Sequence, residues 1–260
     1  MHWARRHLRG ARSPSRAGDR EGAERCFEES LTIAREGRDS FRIAAALQNL
    51  ATVAWDDPER RRALTREALE LFRKIDAHDG VGDCLYNLGR SCLLEGRLDE
   101  ARDLLSQALP VYRIFEDRGK TAMGSAELGA CLGRLGDPRG GRELLAEALR
   151  LLGKDTSPLW ILNTIESLGC FAIGIGESER ALRYLSAERA AMPAAGVTFT
   201  PEERRFFDAQ VESAREALRQ ATGSEEAADR AEAEGRALTL EAALADAAAW
   251  LRELEAGEAT

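Results

Sequence analysis

The sequence predicts an all-α protein: a right-handed αα-superhelix of helix-turn-helix units about 40 residues long, followed by a C-terminal helical cap. Three observations carry this expectation. Alanine, leucine, arginine and glutamate dominate, aromatics make up 6% and prolines number seven, a balance that suits helices and starves sheets. Apolar residues recur at the spacing of one helix face. The chain also repeats itself, since Leu88-Gly89, Leu128-Gly129 and Leu168-Gly169 stand 40 residues apart and Gly96, Gly136 and Gly176 follow them.

Residues 1–17 occupy the place of a first repeat helix, but the Leu-Gly positions fall on Gly10-Ala11 and Ser13-Pro14 follows. The stretch reads as a degenerate or incomplete helix. Its many arginines and lack of acids leave a basic arm or a presequence as the other readings. Residues 18–192 hold the repeats. Gly18, Ala23, Phe27 and Ser30 align with Gly96, Ala101, Leu105 and Ala108 at an offset of 78, one step of 40 and one of 38. Leu50-Ala51 takes the Leu-Gly place in the next unit, across a turn at "WDDPE" that is two residues shorter.

The unit from Leu85 to Leu109 shows the design. Leu85, Leu88 and Cys92 share one face of its first helix, and Ala101, Leu105, Ala108 and Leu109 share one face of its second. Gly96 suits a left-handed helix end, and acids follow where the next helix dipole favours them. A glycine inside a helix costs about 1 kcal/mol against alanine. Gly89 therefore predicts a close approach of the two helices, opposite Ala101 and Ala108. Residues 193–260 are expected to form the helical cap.

The Leu-Gly pair on the first helix, with small and large apolar residues on the second, resembles the tetratricopeptide repeat. The period is longer than that repeat's and the closing proline is missing. Units of this length resemble the MalT-like helical sensor regions of bacterial STAND-class regulatory ATPases, including LuxR-type regulators. The tail is similar to the closing segment of those chains, at Pro201 to Arg204, Gly223 and Gly235-Arg236-Ala237-Leu238-Thr239-Leu240-Glu241-Ala242. This resemblance implies a protein-protein interaction or sensor module of a bacterial regulatory system, binding a peptide, protein or effector, with a regulatory ATPase among the partners it suggests. The ATPase and DNA-binding domains of those regulators have no counterpart here. Gly119-Lys120-Thr121 imitates the end of a phosphate-binding loop, but Ile114 stands where its first glycine belongs, so it reads as a polar helix start.

Chemistry leaves little trace. His2, His7 and His78 have no partners at metal-ligand or acid-base spacing. Cys26, Cys84, Cys92, Cys131 and Cys170 form no CxxC pair and read as reduced, small core residues. Carboxylates fall with arginines at helical spacing, as on solvated faces. No catalytic residue, metal or cofactor is expected. A net charge of -8 argues against a nucleic-acid surface, and no apolar run reaches the roughly 18 residues that cross a bilayer, so a cytoplasmic protein is expected.

First helices line the concave face of such solenoids. In the repeat frame that face carries Gln48, Asn49, Thr52, Asp83, Tyr86, Asn87, Arg90, Met123, Glu127, Arg134, Asn163 and Glu166. The resemblance implies that Asn49 and Asn87 meet the backbone of a bound peptide, since an amide both donates and accepts. Arg90 and Arg134 favour an acidic peptide or protein segment. The alternatives are an enzyme with an unrecognised site in the groove and an inactive fragment of a larger regulator.

Overall fold

The computed structural model describes residues 17–54, 56–153 and 156–258. Among them lie twelve helices and no strand. Helix α1 (Ala17–Glu36) stands where the second helix of an opening repeat belongs; the expected first helix over 1–17 lies, apart from Ala17, outside the described residues. Four hairpins follow: α2 (Ser40–Val53) with α3 (Pro58–Lys74), α4 (His78–Leu94) with α5 (Leu98–Ile114), α6 (Arg118–Arg134) with α7 (Pro138–Leu151), and α8 (Pro158–Gly174) with α9 (Ser178–Ala191). Three further helices follow among the described residues: α10 (Pro201–Thr222), α11 (Glu225–Ala237) and α12 (Leu240–Glu258). The architecture is a tetratricopeptide-like helical solenoid, as the 40-residue period predicts.

The turns explain the short links. Gly96, Gly136 and Gly176 sit at φ of 74°, 84° and 83°, and the amide after each reaches back to the last turn, as Arg97 N does to Cys92 O at 2.8 Å. Between repeats the same left-handed position is filled by Arg38, Asp76 and Glu116, which the glycine pattern could not reveal. Aspartates then open several helices: Asp39, Asp57, Asp117 and Asp137 each accept a hydrogen bond from an amide of the new first turn.

In the three hairpins that carry it, the Leu-Gly glycine meets the second helix; a leucine lies against it each time, joined at Gly129 by the carbonyl oxygen of Gly141 and at Gly169 by that of Ala181, both at the place of the expected Ala101. A Cβ at Gly89 would stand 2.9 Å from Leu105 Cγ and 3.3 Å from Leu104 Cβ. At Gly129 and Gly169 the same Cβ would stand 3.0 Å from Leu145 Cγ and 2.8 Å from Leu185 Cγ. The next unit upstream exchanges both partners: Ala51 replaces the glycine, and Thr65, 40 residues before Leu105, replaces the leucine. Both are buried.

Stacking changes along the chain. Links of three residues bring α4 and α6 in after α3 and α5, but residues 152–157 separate α7 from α8, and α8 lies mainly along α6. Glycines permit this: a Cβ on Gly174 would stand 2.6 Å from the backbone of Gly133 and Arg134. Helix α12 packs on α7, α8 and α9, where Trp250 is buried between Phe171 and Tyr184, each 5.8 Å away between ring centres. Helix α11 lies on α9, with Gly235 against the backbone of Arg183.

Gly89→Leu is expected to overpack Leu105 and cost roughly 1 to 3 kcal/mol in urea denaturation. Leu105→Ala, which opens a cavity at the same contact, should cost roughly 2 to 5 kcal/mol. An unchanged midpoint for Gly89→Leu would refute the close approach.

Candidate functional site

The face shared by the first helices carries a buried charge cluster. Glu127 of α6 is 2% exposed, and one of its oxygens, Oε1, accepts from Tyr86 Oη of α4 at 2.6 Å and Asn163 Nδ2 of α8 at 2.7 Å. Arg90 of α4 donates to the same oxygen. Its other terminal nitrogen lies 3.6 Å from Glu166 of α8 and 3.0 Å from Glu203. One guanidinium thus faces carboxylates from three helices. Burial opposes its charge, but Glu127, Glu166, Tyr86 and Glu203 outweigh that and hold its pKa above the ordinary arginine value.

Glu203 belongs to α10, whose first turns reach the groove. Thr200 and Glu203 form a capping box: the Glu203 amide donates to Thr200 Oγ1 at 3.2 Å, and the Thr200 amide donates to Glu203 Oε2 at 3.0 Å. The remaining oxygen, Oε1, accepts from Arg90. Beside it Arg61 of α3 donates to Glu202 at 2.5 Å, and Phe206 sits under the Arg134 guanidinium at 5.7 Å. Both glutamates are buried. A cavity of about 80 Å³ runs between this helix start and α2 to α4, lined by Thr52, Asn87, Arg90 and Thr200 among others.

Six of the twelve anticipated residues therefore converge: Tyr86, Arg90, Glu127, Asn163 and Glu166 in the cluster, and Arg134 on Phe206. Asn87 and Thr52 line the adjoining cavity. Gln48 and Asn49 are half-buried on α2, and Thr52 Oγ1 donates to Asn49 O at 2.7 Å. Met123 packs against the first core cluster. Asp83 accepts from Lys120, 2.8 Å away, in a pair that ties α4 to α6; burial pushes its carboxyl above the usual range while Lys120 pulls it down. Arg61, Glu202, Glu203 and Phe206 were missed. The pattern Thr200-x-x-Glu203 was the available signal for the helix start, but nothing local marks its partners.

The same geometry bears on reactivity. Lys120 of the Gly-Lys-Thr run opens α6 under an Asp117 cap and is held by Asp79 and Asp83. Burial pushes the thiols of Cys84 and Cys131 up to about 12 and about 11 and that of Cys170 higher still, which disfavours the nucleophilic thiolate. Cys26 corrects the expectation of five core cysteines, because it is exposed on α1. Among the described residues no group of three or more His, Cys, Asp or Glu side chains is arranged to hold a metal ion. No helix there is long and apolar enough to cross a membrane. His2 and His7 lie outside the described residues.

Arg90→Met should cost about 3 to 5 kcal/mol in urea denaturation, because buried carboxylates lose their cation. Asn87→Ala, at the cavity wall, should change stability by no more than about 0.5 kcal/mol. A loss below about 1 kcal/mol for Arg90→Met would show that the cluster does not rely on it. In native protein at pH 8 a thiol reagent should label Cys26 rapidly and the other four cysteines only on unfolding; rapid labelling of Cys84 or Cys131 would contradict their burial.

No curated protein matches the chain. The tetratricopeptide repeat family model matches residues 62–114, from the first turns of α3 through α4 to the end of α5. That stretch includes Arg90 and Gly89, and the hairpins on either side repeat its frame, so the fold of the chain is a solenoid of tetratricopeptide type.

Proposed function

We propose that the chain is an interaction or sensor module of a bacterial regulatory system, which binds an acidic peptide or protein segment along the concave face of its first helices. Tetratricopeptide repeats generally mediate protein–protein interactions, and their fold is typically a non-enzymatic scaffold. The observation that carries the reading is the Arg90 cluster. A largely buried guanidinium on this face takes carboxylates from neighbouring helices, and a helix start bearing two glutamates already reaches it and Arg61. Such a seat selects acidic groups by charge and by hydrogen-bond geometry. Asn87, Thr52 and the cavity beside them offer amide and hydroxyl groups to a bound backbone. A regulatory ATPase is the partner the MalT-like resemblance favours, in the cytoplasm, with no direct contact to nucleic acid.

A displayed random-peptide library selected on the full chain should yield acidic sequences. Their binding should fall about tenfold or more on Asn87→Ala or Arg61→Gln, the loss of about 1.4 kcal/mol. Selected peptides indifferent to both substitutions would remove the groove as the binding face. A reading frame encoding a phosphate-loop ATPase beside the gene would favour the regulatory partner.

A further inference from the structure

We propose that the first two turns of α10 are a resident occupant of the groove, and that the partner this surface fits is another protein's helix start of the same chemistry. That chemistry is two consecutive carboxylates followed, three residues on, by an aromatic ring. The proposal rests on the groove being a partner surface and adds what regulates access to it.

The chain's own segment defines the template. Glu202 and Glu203 fall to 7% and 6% exposure in the first turn of a helix whose later acids, Asp208 and Glu212, are exposed. Glu202 meets Arg61 and Glu203 meets Arg90, while Phe206, one turn later, lies on Arg134. The three cations come from α3, α4 and α6, so the seat spans three helices rather than one.

The way α10 is fastened makes this seat exchangeable. Its grip on the groove is two ion pairs and one ring against a guanidinium, interactions that an equivalent segment reproduces at little net cost. One apolar anchor lies within the segment: Phe207 is buried, 4.8 Å between ring centres from Phe199, which itself packs on the cluster of Leu162, Met192 and Val197. An incoming segment must therefore carry a ring there as well, as residues 198–212 do. The other anchors lie farther along: Ala214 and Leu218 join the second core cluster, and α12 is pinned separately by Trp250. Residues 192–200 between α9 and α10 are not α-helical. On the α2 side the fit is loose, with the cavity of about 80 Å³ against Thr200 and Glu203.

The test uses a fluorescein-labelled peptide with the sequence of residues 198–212, titrated by anisotropy against the full chain and against the Glu202→Gln, Glu203→Gln double variant. The amide introduced by Glu203→Gln keeps an oxygen for the Thr200 amide, and circular dichroism checks the fold. The peptide should bind the variant at least about tenfold more tightly than the native chain, because an occupied site lowers apparent affinity by the fraction that is free. Arg61→Gln in the variant should reverse the gain. Equal affinity for native chain and variant, still lost on Arg61→Gln, would overturn the resident occupant and leave the groove as a partner surface. No binding to either chain would overturn the template, while the library selection judges the surface independently. A second measurement needs no variant: saturating peptide should raise amide hydrogen exchange in the first two turns of α10 of the native chain while α12 stays protected, and unchanged exchange would overturn the proposal. A concentration-dependent dimer exchanging α10 would assign the groove to a second copy and overturn the foreign partner.

Discussion

The contact between a first-helix glycine and a second-helix leucine sets the geometry from which the rest of the structure follows. Gly89 against Leu105, Gly129 against Leu145 and Gly169 against Leu185 repeat the same contact in three hairpins. Without Cβ atoms there, the leucine side chains reach the helix backbone, and packing offsets the propensity that glycine loses. Arg90 lies one residue beyond Gly89 and Asn87 two before it. Where the pair is exchanged for Ala51 and Thr65, both side chains line the cavity beside the groove.

The uniform repeat yields to a different arrangement after α7, and one cause connects several features. The link at 152–157 is longer than the links before it, so α8 is free to settle along α6, where Gly174 lets the backbones touch and Gly133 makes room for the Phe171 ring. That choice brings Asn163 and Glu166 of α8 to Glu127 and Arg90. It also leaves the side of α7 for α12, which is held there by Trp250 and by Tyr184 Oη donating to Asp246 at 2.7 Å. The charge cluster and the return of the C-terminal helices therefore share one origin in packing.

The sequence made the repeats legible because their signals are local and periodic. Glycines at left-handed turns, apolar residues at helical spacing and the 40-residue step each report on neighbours within one unit. The anticipated face was partly legible for the same reason: Arg90, Glu127 and Glu166 could be placed on first helices by register alone. What register could not supply was burial. A glutamate at an outward position looks the same whether water or another helix covers it, and Glu202 and Glu203 read as ordinary acids of a first helical turn. Their partners Arg61 and Arg90 are 141 and 113 residues away, a separation over which no period runs. Cys26 failed in the opposite sense, since a small sulfur side chain on an early helix carries no mark of exposure. Arg38, Asp76 and Glu116 escaped notice because glycine is only the commonest residue at a left-handed turn.

Glu203 joins local and distant structure in one side chain. Its Oε2 caps the helix by accepting from the Thr200 amide, and its Oε1 accepts from Arg90. A helix start has donors without internal partners, and a buried guanidinium has a charge that needs a counter-ion. The same carboxylate serves the first need and joins Glu127 and Glu166 in the second, so the order of the first turn of α10 is coupled to one of the three carboxylates around Arg90. Any segment that takes the Arg90 seat leaves Glu203 with only its cap, and any loss of the cap weakens the orientation of Glu203 toward Arg90. The first-helix face is in this way linked to the start of α10, whose later turns carry Ala214 and Leu218 into the second core cluster.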